Sequence, residues 1–107
     1  MRLALYARAG VTGETLDEQL AALRQWAEAG GGAVIGEYTD SGGTLRRPGF
    51  ARLLADARRG RVEALVVWKL DRLGRSRIHD LLSRGVEVVS VTEPHTWRRT
   101  SPPRGTR

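Results

Sequence analysis

Arginines recur where strands of this 107-residue chain should end. Arg8 follows the first apolar stretch, Arg46 and Arg47 close the polar segment after the second, and Lys69, Asp71, Arg72 and Arg75 follow the third. Guanidinium groups brought together in this way suit a phosphodiester, whose displacement spreads extra negative charge over the equatorial oxygens. One arginine in such a place reads as a solvated rim, but a cluster at three successive strand ends is harder to read so. Asp71, set between basic residues, reads first as the ion-pair partner that holds the arginines in place. A proton donor or acceptor is the sharper alternative. Asp40 stands after the second stretch, on the same expected edge.

The elements that must position these residues follow from periodicity. Residues 1–7 predict a first strand. Thr15-Leu16-Asp17-Glu18 has the form of a capping box, Leu16, Leu20, Leu23 and Ala27 follow at helical spacing, and Gly30 stops the helix. Residues 33–38 predict a second strand and residues 39–47 a Gly-rich loop. Pro48 opens a second helix with Phe50, Leu53, Leu54 and Ala57 on one stripe, ended by Gly60. Ala64-Leu65-Val66-Val67-Trp68 is a continuous apolar run, as in a central parallel strand. Residues 76–83 predict two helical turns and residues 86–91 the last strand. From Pro94 the chain is polar, with four arginines and no acid, and predicts a flexible basic tail. This alternation predicts an α/β domain around a mostly parallel sheet, with its site at the carboxyl ends of the strands.

Composition narrows the classes. A single domain of this length buries about 65% of its unfolded surface, so its stability margin is thin. Cysteine is absent, which excludes disulfides and thiolate metal sites, and His79 and His95 are too few and too separated for a metal centre. We therefore expect no cofactor and no metal. No apolar run approaches the roughly 18 residues of a membrane span, and Arg8 interrupts the N-terminal stretch too early for a signal peptide, so a cytoplasmic protein with no membrane partner is expected. The formal net charge is +6 and Lys69 is the only lysine. Codon bias in a GC-rich genome is the bland reading of the arginine total, but it does not explain where the arginines sit.

Several stretches resemble, in order and at matching spacing, the signature of the serine recombinases of the resolvase/invertase type. They are Tyr6-Ala7-Arg8, Leu16-Asp17-Glu18-Gln19-Leu20, Arg47-Pro48-Gly49-Phe50, Trp68-Lys69-Leu70-Asp71-Arg72-Leu73-Gly74-Arg75-Ser76 and Val89-Ser90-Val91-Thr92-Glu93. Any one is weak; five in register are strong. The resemblance implies a three-layer resolvase-like catalytic domain over residues 1–93, with a sheet of about four strands flanked by helices, and a tail over 94–107. It also implies a serine hydroxyl that attacks a DNA phosphodiester to form a phosphoserine link, without metal. Carried onto this chain, Arg8, Arg47, Arg72 and Arg75 would bind the phosphate, and Tyr6 and Asp71 would shape the site. Arg46 and the tail residues Arg98 and Arg99 add candidate DNA contacts.

Three departures shape the expectation. Gly10 occupies the position of the family's nucleophilic serine, and the downstream Leu16-Asp17 and Gln19-Leu20 leave no gap to rescue it. Removing such a nucleophile costs about a millionfold in another enzyme. Thr12 is two residues away, a displacement that spoils in-line attack when even about 1 Å matters. The third helix is about two turns shorter than the family's. The chain also ends where the family continues into a long dimer-forming helix and a DNA-binding domain. The expectation is a degenerate, inactive recombinase domain with weak or vestigial DNA binding, as a homo-oligomer or in company with a full-length recombinase. The alternative is a non-catalytic nucleic-acid-binding module, with Trp97-Arg98-Arg99 stacking on an exposed base. A nucleotide-binding enzyme is disfavoured, because residues 10–15 resemble a phosphate loop but lack its lysine.

Overall fold

A computed structural model describes residues 1–9, 15–42, 46–69, 73–92 and 96–97. Its elements alternate as β1 (Arg2–Ala9), α1 (Leu16–Ala29), β2 (Ala33–Ser41), α2 (Pro48–Arg58), β3 (Ala64–Val67), α3 (Arg75–Ser83), β4 (Glu87–Ser90) and β5 (Thr96–Trp97). The sheet order is β2-β1-β3-β4-β5. The first four strands pair in parallel, and β5 adds antiparallel to β4 through Val88–Trp97 and Val89–Thr96.

Side-chain alternation along the two central strands divides the core. Leu3, Leu5 and Ala7 of β1 and Ala64 and Val66 of β3 face α1, where Leu20, Leu23 and Ala27 meet them. Ala4, Tyr6, Leu65 and Val67 face the other way, toward Phe50, Leu53 and Ala57 of α2 and Leu81 of α3. Both faces of these strands are covered, which is why they read as unbroken apolar runs. The result is the expected three-layer arrangement, with one helix on one side and two on the other.

The handedness of parallel crossovers explains that split. The chain moves from β1 outward to β2 through α1, then back past β1 to β3 through α2. Right-handed connections running in opposite directions place their helices on opposite faces. The order therefore reverses between β1 and β3, and in open parallel sheets the crevice lies at the carboxyl ends of such a strand pair. Arg8, at the end of β1, and Trp68 and Lys69, directly after β3, lie there.

Several boundaries differ from expectation. β1 continues to Ala9 and β2 to Ser41, because Ala7, Arg8 and Ala9 pair with Thr39, Asp40 and Ser41. The polar segment read as the start of a loop is thus strand. β3 ends one residue early, at Val67, and α3 begins one residue early, at Arg75. The tail expectation is corrected at Thr96–Trp97, which form β5. The capping box of α1 is present: Glu18 N donates to Thr15 Oγ1 at 3.0 Å and Thr15 N to Glu18 Oε1 at 2.8 Å. A bulge interrupts the β1–β2 ladder, where Leu3 pairs with Val34 but Ala4 with Gly36, leaving Ile35 as the extra residue.

Candidate functional site

The crevice is built around a buried carboxylate. Asp40, near the end of β2 and 5% exposed, receives the Tyr6 hydroxyl at 2.8 Å on Oδ2. The same side chain accepts Gly49 N at 2.7 Å and Phe50 N at 2.9 Å, the first free amides of α2. Arg47, the N-cap residue, makes no side-chain cap bond of its own. Asp40 therefore caps α2 from outside the helix, and its negative charge meets the positive end of the helix dipole. Gly49 is required by this close approach: a Cβ there would lie 2.2 Å from the Thr39 carbonyl oxygen.

Burial pushes the Tyr6 hydroxyl well above its ordinary range, with the bond to Asp40 and the charge of Asp40 adding to it. The neighbouring cations Arg47 and Arg8 oppose the shift. Tyr6 stays a neutral donor, suited to positioning Asp40 and, through it, the start of α2.

On the other side of β1, Gln19 of α1 performs the matching task. Its side chain is 1% exposed, accepts Arg8 N at 3.2 Å and donates to Arg8 O at 2.8 Å. A primary amide satisfies both backbone groups of one residue, as a neighbouring strand would. The backbone direction at the end of β1 is thereby set from the α1 layer.

Three guanidinium groups surround this framework. Arg47 is half-buried and its Nη1 donates to Leu73 O at 3.4 Å. Arg77 of α3 donates through Nη1 to the same oxygen at 3.2 Å. Its guanidinium carbon lies 5.5 Å from the centre of the Phe50 ring, and Phe50 meets Tyr6 edge-on at 5.7 Å. Burial lowers the proton affinity of Arg47, Tyr6 opposes this, and the charges of Arg77 and Arg8 add to it. The three arginines therefore share one electrostatic field.

Of the residues singled out from sequence, Tyr6, Arg8 and Arg47 are brought together here. Arg46 is exposed beside Arg47 and Pro48, on a shallow depression shared with Ala51. Arg75 is exposed at the first position of α3, and Lys69 is half-buried after β3. Gly10, Asp71, Arg72, Arg98 and Arg99 lie outside the described residues, as does the side chain of Trp97. Sequence reasoning missed Gln19 and Arg77 as site residues and gave Asp40 no role. Signals existed for two of them: Gln19 falls within the apolar arc of Leu16, Leu20 and Leu23, and Arg77 lies one turn before Leu81 on the covered side of α3. Among the described residues, no group of three or more His, Cys, Asp or Glu could hold a metal ion, and no helix is long and apolar enough to cross a membrane.

Residues 3–106 match the family described as resolvase, N-terminal domain. The chain belongs to the resolvase family. It is 39% identical over 85 residues to a DNA-invertase of Escherichia phage P1, covering 74% of this chain and 45% of that protein. A serine recombinase of Escherichia phage Mu is 44% identical over 59 residues, covering 50% of this chain and 30% of that one. The chain thus spans less than half the length of these curated relatives. The N-terminal catalytic domain of TP901-1 integrase superposes with a TM-score of 0.74 at 34% identity, covering 90% of this chain and 81% of that domain. The C-terminal catalytic domain of ISC1926 TnpA, an IS607-like serine recombinase, gives the same TM-score at 27% identity, covering 89% of this chain and 70% of that one. The resolvase fold and the serine-recombinase catalytic-domain class are thereby established for this chain.

Proposed function

We propose that this resolvase-family domain binds the phosphodiester backbone of DNA at the β1/β3 crevice and does not cleave it. The observation that carries this reading is the convergence of Arg47 with Arg8 and Arg77, held from beneath by the Tyr6–Asp40 bond and from α1 by Gln19. Like charges gathered in a half-buried crevice repel one another, and an anion relieves that repulsion. Arg72 and Arg75 belong to the same phosphate group in this proposal, with Arg46, Arg98 and Arg99 as outlying contacts. Gly10 stands at the nucleophile's position and has no side chain to attack with. Assembly with itself or with a full-length recombinase, on DNA in the cytoplasm, is part of the same proposal.

The test is anisotropy of a fluorescent DNA duplex across a salt series, beside denaturing gels that trap covalent protein–DNA adducts. Binding should weaken steeply with salt, and the wild-type chain should yield no adduct. An adduct from the wild type overturns the inactive reading; no binding at low salt overturns the DNA reading. Gly10→Ser, which restores a hydroxyl, should leave binding intact and is the variant in which any adduct should appear.

A further inference from the structure

Beyond the crevice, an open groove runs between α2 and α3, lined by Arg47, Phe50, Leu54, Ser76, Arg77 and Asp80. Arg47 belongs to both, so the groove continues the crevice outward. We propose that Arg77, with Arg47, forms a two-guanidinium clamp for a second backbone phosphate, next along the strand from the one held at Arg8 and Arg47. This rests on the phosphodiester-binding reading and deepens it by giving Arg77 a phosphate of its own.

The geometry favours the clamp in three ways. Both Nη1 atoms are anchored on the Leu73 carbonyl, which sets the two forks side by side about a common point. Arg77 is also stacked on Phe50, so its side chain is ordered before any ligand arrives and loses little freedom on binding. The groove wall adds the half-buried Leu54, an apolar surface that suits the deoxyribose between two phosphates. Among the described residues, Asp80 is the one carboxylate lining the groove, and it is engaged by Arg84 at 3.2 Å, which offsets its repulsion of an anion.

Two measurements separate this inference from the reading beneath it. In the first, duplex binding is followed across a salt series for wild type, Arg77→Gln, Arg77→Lys and, as a control for net charge, Arg59→Gln, an exposed residue after α2. Arg77→Gln should weaken binding several-fold and reduce the salt slope by about one phosphate contact. Arg77→Lys should keep the slope, which a purely structural role on Phe50 would not predict. Circular dichroism confirms that each variant is folded. In the second, pyrophosphate is titrated against labelled wild-type chain and the arginine Nε–Hε resonances are followed by NMR. Arg47 and Arg77 should move together while Arg59 stays still. Equal slopes for Arg77→Gln and Arg59→Gln, with an unmoved Arg77 resonance, overturn the clamp alone. Absent DNA binding with a moving Arg77 resonance overturns the DNA reading and leaves the clamp as an anion site.

Discussion

The Tyr6 hydroxyl and the Asp40 carboxylate meet at 2.8 Å directly beneath the first turn of α2. Three donors from two elements converge on this one side chain, so the position of Arg47 at the start of α2 depends on a residue in β2. Asp40→Ala would leave the Tyr6 hydroxyl and two helix amides buried without partners. The expected cost is about 3 kcal/mol or more, combining a lost cap with lost bonds to a charged acceptor. Asp40→Asn, which retains one acceptor oxygen, should cost less. Urea denaturation gives both values, and a loss below about 1 kcal/mol for Asp40→Ala would contradict the capping role.

Gly49→Ala should be destabilising for a different reason. The added methyl would press on the Thr39 backbone, which no rotamer change relieves. A cost of about 1–3 kcal/mol is expected from overpacking. A thermal midpoint equal to that of the wild type would show that α2 can slide away from β2 freely.

Gln19→Ala tests the support from the α1 layer. The half-buried N–H and C=O of Arg8 would lose their bonds to the Gln19 amide, at a cost of about 2 kcal/mol. DNA affinity should fall along with stability, because the end of β1 is no longer directed. Gln19→Glu keeps the acceptor but loses the donor to Arg8 O, and should lie between alanine and wild type by chemical denaturation.

The two tyrosines predict an alkaline stability profile. Tyr38 donates to Asp56 at 2.5 Å, and burial, with that bond and the Asp56 charge, pushes its hydroxyl from 10.0 up to about 12. Tyr6 shifts in the same direction. A raised value in the fold means that the unfolded chain ionises first. The stabilisation is therefore complete below about pH 10 and is lost as pH climbs toward 12. Unfolding free energies measured from pH 8 to 12 should fall across that window, and Tyr38→Phe should flatten part of the slope. An unchanged slope would mean that the Tyr38–Asp56 bond does not persist in solution.

Much of this fold is legible in the sequence because the central strands are covered on both faces and α1 carries its own start and stop signals. The site is legible in a coarser way. Arginines after successive strands mark the edge where they meet, since parallel strands deliver their ends to one side. What periodicity hides is where polar residues are buried. Thr39-Asp40-Ser41 has no apolar alternation and reads as loop, yet pairing with residues 7–9 keeps it in the sheet. Asp40 is buried by the helix it caps, a contact nine and ten residues away that no local pattern encodes. Arg77 escapes for the opposite reason: a charged residue in a short helix reads as solvent-facing, whereas stacking on Phe50 draws it inward.

The extra residue at Ile35 bears on how copies of this chain behave in concentrated solution. β2 is an edge strand, and Val34 and Ile35 are exposed on it at 43% and 39%. Such an edge is a template for intermolecular strand addition and aggregation. The one-residue slip between Val34 and Gly36 interrupts the edge partway along, so a second chain cannot zip onto all nine residues in a single uninterrupted ladder. With a net charge of +6 repelling further copies, the bulge acts as a stop against runaway sheet growth.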